Sequence, residues 1–409
     1  MSSPYAAMKI RDFRLFISAR FCITLAIQIQ AVVVGWQVYE LTKDPLSLGL
    51  IGLAEAIPSI GVSLYAGHVA DITSRKKIIL MTVATLVLCS GLLLYFTLDL
   101  STLLQHYGVL PIYVVIFISG IARGFLTPAV FSFMPQLVPR ELYQNAITWN
   151  STLWEMASIG GPPVGGLIYG FFGISAAYTV DVSLTVVGLL LAVMVTSRPL
   201  PEISEEQGMF EKIGAGLKFV FQNKIILGAI TLDLFAVLFG GAVALLPIFA
   251  DEVLHVGKIG LGFLRSAPGI GALLMALFLT YNPIRKAMGV ILLYSVAGFG
   301  VCMILFALST NFWLSMGVLA MSGAFDCVSV IIRGTLLQTL TPENMKGRVS
   351  AVNNIFIGSS NEIGAFESGV AARLLKVIPS VIIGGVLTLA VVAVTAFKAP
   401  ELRKLQEVK

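Results

Sequence analysis

The chain has 409 residues, of which 57% are hydrophobic and only 12% charged, and its mean hydropathy is +0.92. So few charges cannot coat a water-exposed surface, which excludes a soluble globular domain or soluble enzyme. The formal net charge of +5 does not point to nucleic acid, because the basic residues collect in short stretches between apolar runs.

Those runs reach about 20 residues or more, enough as helices to cross about 30 Å of hydrocarbon. They predict an all-α polytopic membrane protein with twelve spans. Six lie near residues 13–38, 46–70, 76–98, 108–133, 142–170 and 173–196. Six more follow near 224–250, 257–280, 286–308, 311–337, 347–374 and 377–398. Internal glycines and prolines do not veto these helices, because neighbouring spans absorb loosened backbone bonds. The opening MSSPYAAMKIRDFRLF carries no cleavage pattern, so the first span is expected to stay attached as an internal signal.

Charge sets the orientation. Alternate connections carry Lys9, Arg11 and Arg14; Arg75, Lys76 and Lys77; Arg140; Arg198, Lys212, Lys218 and Lys224; Arg285 and Lys286; Lys346 and Arg348; and the tail residues Lys398, Arg403, Lys404 and Lys409. Against them stand only Lys43, Lys258, Arg373 and Lys376. The positive-inside rule then places both termini in the cytoplasm and requires an even number of spans.

The chain also reads as a duplication. Ser119-Gly120 and Ser322-Gly323 are 203 positions apart, as are Asn150 and Asn353, and Glu141 and Glu343 differ by 202. Two pseudo-symmetric six-helix halves, residues 1–196 and 223–409, would be joined by a cytoplasmic connection, residues 197–222. Such duplication is common among alternating-access transporters. Glu205, Glu206, Glu211 and Lys212 make the connection amphipathic and compatible with a short surface helix.

Ionisable groups inside apolar spans are costly and face protein or a water-filled cavity. On span one, Arg20, Thr24 and Gln28 recur every four residues and form one stripe. Gln28 could bind an oxygen-rich solute, and Arg20 an anionic group or an internal carboxylate. A structural hydrogen-bond network is the alternative for both. Glu55, Glu155, Asp181, Asp233, Asp326, Glu362 and Glu367 lie within or near spans, and any of them could cycle between neutral and charged forms as a proton carrier. Spacing does not say which. Asp326 and Arg333 share a helix face but are separated by about 10.5 Å of rise, so both could face one cavity or bridge to neighbouring helices, or Asp326 could face a cavity while Arg333 anchors a helix end. Span eleven carries Asn353, Ser360 and Glu367 on one line and Asn354, Asn361 and Ser368 on the next, with Glu362 nearby. That polarity places the face inside the bundle. Asn361, Glu362 and Glu367 are candidates for solute or proton contact, or for packing. Trp36, Trp149 and Trp154 could line an aromatic cavity or anchor helix ends.

Cys22, Cys89, Cys302 and Cys327 fall inside apolar stretches without CxxC or Cys/His spacing, and are read as small packing residues. His68, His106 and His255 form no metal-spaced set, and no P-loop is present. No cofactor and no enzymatic activity are expected.

Three motifs carry a resemblance. GHVADITSRKK, with Gly67, Asp71, Arg75 and Lys76, resembles the second-loop pattern of the major facilitator superfamily, although Thr73 and Ser74 stand where arginine and glycine are common. GGPPVGG, Gly160 to Gly166, resembles the fifth-span motif of its exporters. GRVSAVNNIFIGSSNEIGAFESG, beginning at Gly347 and Arg348, resembles the tenth-loop and eleventh-span signature of the bacterial siderophore and macrolide exporter branch. The resemblance implies two six-helix halves that alternate access across the bacterial cytoplasmic membrane, with Gly67, Asp71, Arg75, Lys76, Gly347 and Arg348 in gating. It places Arg123 at a fourth-span position used in some members for proton coupling, with an internal structural salt bridge as the alternative. It implies export of a small or medium organic compound in exchange for protons, by a monomer whose other partners are membrane lipids and not nucleic acid. Export of a metal cation by the acidic set, or a non-transporting sensor or scaffold, are the alternatives.

Overall fold

The computed structural model describes residues 5–98, 102–199, 209–284, 286–342, 345–403 and 405, leaving aside the side chains at 63, 64, 67, 68, 70, 71, 209–213, 215, 216, 347, 348, 351, 354, 355 and 359. The regular elements among these residues are helices. The long ones are α1 (Arg11–Thr42), α2 (Pro45–Ile72), α3 (Arg75–Tyr95), α4 (Leu110–Phe133), α5 (Tyr143–Phe172), α6 (Ile174–Met194), α7 (Met209–Gln222), α8 (Lys224–Gly240), α9 (Gly257–Tyr281), α10 (Met288–Leu308), α11 (Phe312–Leu340), α12 (Lys346–Leu375) and α13 (Val377–Lys398).

Among the described residues, ten segments are long and apolar enough to cross a membrane. Neither α5 nor α12 is among them; α12 carries the asparagines, serines and glutamates singled out above. The seventh expected span is not one continuous α-helix. After Gly240 it continues as a 3-10 turn at Ala242–Leu245, a short helix at Leu246–Ile248 and a π-helical turn at Phe249–Val253. The connection does contain a helix, α7, from which Leu217, Phe219 and Val220 pack with Val349 and Val352 of α12. Helix starts follow local chemistry. The Asn223 side chain accepts the Ile225 and Ile226 N–H groups, both at 3.1 Å, and Asn311 accepts that of Leu314 at 3.1 Å, satisfying donors that a helix start leaves orphaned.

Two compact units emerge. The first comprises Met1–Lys43, Ala54–Glu205 and Gly257–Ser266, and the second Asp44–Leu53, Glu206–Val256 and Ala267–Lys409. Each therefore borrows a short helical piece from beyond the simple midpoint of the chain. In the first unit, Phe13, Ile17 and Ile23 of α1 pack with Val83 and Leu86 of α3 and Ala129 and Phe133 of α4. In the second, Leu232 and Ala236 of α8 pack with Leu292 and Val296 of α10 and Ile332 and Leu336 of α11.

The duplicated Ser-Gly pairs repeat one packing arrangement. A Cβ added to Gly120 would come within 2.6 Å of the Glu55 carbonyl oxygen and 2.8 Å of Pro58 Cγ; one added to Gly323 would come within 1.9 Å of the Pro268 carbonyl oxygen. Pro58 and Pro268 lie inside α2 and α9. Ser119 and Ser322, beside the glycines, are buried. In both units the glycine lets the main chain of a proline-containing helix approach a neighbour, the usual role of small residues where lipid supplies no driving force for association.

Gly323→Val should force main chain from main chain and destabilise the protein by about 1–3 kcal/mol or more. Gly160→Ala should be nearly neutral, because nothing lies within 4 Å of the added Cβ. Thermal unfolding in lipid nanodiscs checks this, and equal melting of both variants would contradict the contact.

Candidate functional site

In the first unit a cavity of about 320 Å³ opens between α1, α3, α4, α5 and α6. The span-one stripe forms one wall: Arg20, Thr24 and Gln28 all line it, facing Arg123, Asn150 and Trp154. Gln28 Nε2 donates to Ser158 Oγ at 3.4 Å, and Arg20 Nη1 donates to Asn150 Oδ1. Of the three tryptophans expected at a cavity, only Trp154 lines this one. Trp36 is buried edge-on to Tyr39, and Trp149 packs with Tyr5 against the core. Their wide apolar rings make them core material here.

Behind the cavity lies a connected polar chain. Arg123 on α4 forms an ion pair with Glu55 on α2. A second nitrogen, Nη2, donates to Gln30 Oε1 at 3.4 Å. Gln30 Nε2 in turn donates to Ser90 Oγ at 3.3 Å and to Asp181 Oδ2 at 3.2 Å. Gln30 and Asp181 are almost wholly buried, at 4% and 1% exposure. Gln30 is the residue that sequence reasoning missed. It lies two positions, or about 200° of helix rotation, from Gln28 and so falls off the visible stripe. Its signal was present: a lone amide in an apolar run must find a buried partner.

The second unit holds a comparable arrangement. Arg333 on α11 forms an ion pair with Asp233 on α8, and the two side chains are 4% and 9% exposed. Arg333 thus bridges to a neighbouring helix as a buried partner of Asp233, and does not anchor a helix end. A buried guanidinium must be compensated, and α8 supplies the carboxylate. Asp326 lines a small cavity with Asp233, Ser295 and Ser329. Glu367 lines another with Gly240 and Gly241, and neighbouring Ser368 donates to the Gly241 carbonyl at 2.9 Å. Glu362 Oε2 lies beside Gly52, 3.2 Å from where a Cβ would stand.

Other expected residues are not gathered into these sites. Asn361 donates to the Ile357 carbonyl of its own helix at 3.0 Å. Glu155 makes no hydrogen bond or ion pair among the described residues. Arg75 donates to the Ser132 carbonyl at 3.2 Å and Lys76 to the Val193 carbonyl at 2.8 Å. Both bonds stay inside the first unit, at helix C-terminal ends where cations are favoured. Gly67 and Gly347 fall within α2 and α12, and the side chains of Asp71 and Arg348 lie outside the described residues. Near the end of α1 a cluster appears that the sequence had suggested only as a count of charges. Tyr169 donates to Glu40 Oε2 at 3.0 Å, while Lys258 lies 3.7 Å from Glu40 Oε1 and 4.2 Å over the Tyr169 ring. Among the described residues no group of three or more His, Cys, Asp or Glu is placed to hold a metal ion.

Apolar helices of membrane length, with ion pairs and a cavity among them, define a multi-pass membrane protein. The chain belongs to the transmembrane secretion effector family, whose model matches residues 2–408, within the major facilitator superfamily. Among its relatives, the enterobactin exporter EntS of Shigella dysenteriae serotype 1 (strain Sd197) is 27% identical over 395 residues, covering 94% of this chain and 93% of that protein. The enterobactin exporter EntS of Escherichia coli O1:K1 / APEC is also 27% identical, over 397 residues, with the same coverage. The solved POT family transporter PepTSo superposes with a TM-score of 0.75 at 12% identity, covering 96% of this chain and 98% of the other. The nucleoside transporter NupG does so with a TM-score of 0.73 at 16% identity, covering 95% and 99%. At such identities these structures establish the shared fold.

Removing one member of the Asp233–Arg333 pair should cost about 3–5 kcal/mol, because a buried charge is left uncompensated. Asp233→Asn and Arg333→Met should therefore each lower the melting temperature markedly, and the double variant should recover much of the loss. Strictly additive losses would show that the two groups do not compensate one another.

Proposed function

We propose that the protein is a proton-coupled exporter of a small or medium organic compound, of siderophore-like or drug-like character. It would cross the bacterial cytoplasmic membrane twelve times, with α5 and α12 as the two polar spans, both termini in the cytoplasm, and function as a monomer. Family membership and the relatives named as exporters support the direction, and the one-sided distribution of basic residues supports the orientation. Gly67, Asp71, Arg75, Lys76, Gly347 and Arg348 would serve gating in this reading.

The observation that carries proton coupling is the Arg123 chain. One guanidinium serves two carboxylates, Glu55 directly and Asp181 through Gln30. Away from water one cation balances one anion, and an uncompensated second carboxylate is costly. Asp181 would therefore hold a proton while Arg123 is paired with Glu55. Release of that proton would draw Arg123 through Gln30 towards Asp181. A solute that binds one access state and a proton that binds the other would then exchange across the membrane. Asp326 beside Asp233 and Arg333 would be the corresponding acid of the second unit. Glu155, Glu362 and Glu367 are weaker proton-handling candidates.

Comparing metabolites inside and outside matched cells with and without the protein, by mass spectrometry, should identify a cargo retained in its absence. In proteoliposomes an imposed pH gradient should drive that cargo, and Asp181→Asn should reduce gradient-driven flux at least about tenfold while leaving cargo exchange intact. Full flux after the gradient is dissipated would overturn proton coupling.

A further inference from the structure

Arg20 departs from the pattern set by Arg123 and Arg333. It lies nine residues inside α1, about 13.5 Å along the helix, yet its partner among the described residues is the neutral side-chain oxygen of Asn150. Arg123 has Glu55 and Arg333 has Asp233. A guanidinium carries five N–H donors, Asn150 engages one of its nitrogens, and Arg20 lines the cavity. The other ionised lining residue, Arg123, is neutralised by its own carboxylate, and among the described residues no Asp or Glu lines the cavity. The cavity thus carries one uncompensated positive charge.

Its remaining wall is apolar and aromatic: Phe16, Ile23 and Ile27 with Phe131 and Trp154. At about 320 Å³ it sits at the small end of ligand sites, which run from about 300 to 1,000 Å³. We infer that this cavity binds an organic anion through Arg20, with an aromatic body of one or two rings packed against Trp154 and Phe131. Asn150 is the placeholder that holds the guanidinium plane in register until the anion takes over its donors. Planar, bidentate recognition suits a carboxylate, and arginine supplies it where lysine does not. Gln28 and Thr127 add neutral polar contacts on the same wall.

The inference rests on the reading of the protein as a transporter of organic compounds, but its test is binding and needs no flux. Isothermal titration of the full chain in nanodiscs would compare 1-naphthoate, the uncharged 1-naphthamide and 1-naphthylmethylammonium, which share one ring system. Naphthoate should bind at least about tenfold more tightly than the amide, the difference expected for a hydrogen bond to a charged group, and the ammonium should bind least. Arg20→Gln should reduce the preference to within about threefold, Arg20→Lys should keep part of it, and Arg14→Gln, outside the cavity, should leave it unchanged. Equal binding of naphthoate and amide, tighter binding of the ammonium, no binding of any probe, or a preference that survives Arg20→Gln would overturn the proposal. The wild-type comparison does not depend on any variant folding. A charge preference without gradient-driven transport would sink proton coupling alone, whereas gradient-driven transport without the preference would sink the anion site alone.

Discussion

Charge compensation away from water is the constraint on which the rest of this structure depends. Hydrocarbon offers no solvent for a guanidinium or a carboxylate, so each one kept inside a span must be matched by its own protein or, like Arg20, face a cavity. Arg333 is matched by Asp233 and Arg123 by Glu55. The helices that carry these groups are held in register by the same contacts, which tie α8 to α11 in one unit and α2 to α4 in the other. A hydrophobic residue at each position would pack as well and cost less. In the proposed exchange, what the charged versions would add is an internal balance that a proton or a charged solute can tip.

The close approach of α2 to α4 is part of that balance. Gly120 lets the main chain of Glu55 and the ring of Pro58 lie against α4, and three residues further along the same helix Arg123 reaches the Glu55 carboxylate. Packing and electrostatics are therefore set by one short stretch, Gly120 to Arg123. In the second unit the glycine repeats but the charge does not. Gly323 meets Pro268, while the position three residues on is Asp326. The helix contact recurs in both units with the opposite charge beside it, so one unit contributes an arginine where the other contributes an acid.

Much of the helical architecture was legible in the sequence because its signal is one-dimensional. An apolar run of membrane length between basic clusters needs no knowledge of its neighbours. Even the amphipathic helix at Met209–Gln222 could be read from its charges. The break after Gly240 was not legible, since a run rich in alanine, leucine and glycine looks the same whether continuous or interrupted. The site was legible only where its residues share one helix face. Arg20, Thr24 and Gln28 announced a cavity wall by their four-residue spacing. The pairing of Arg123 with Glu55, or of Arg333 with Asp233, depends on which helices adjoin, and spacing along one helix is silent on that. Gln30 and Asp181 lie 151 positions apart, so neither could point to the other. Conversely, Asn361 stood out as a polar residue in a span and turns out to satisfy itself on its own helix.

The central claim is that one carboxylate of the Arg123 chain, Asp181, is held neutral by the shortage of compensating charge. Infrared difference spectroscopy of the protein in lipid at neutral pH, before and after transfer to alkaline buffer, reads the carbonyl stretch of protonated carboxyl groups directly. A band should appear in the wild type, be lost on alkalinisation and be clearly diminished in Asp181→Asn, the remainder belonging to other neutral carboxyl groups such as Asp326. A band that persists undiminished in Asp181→Asn, or no such band in the wild type, would contradict the claim.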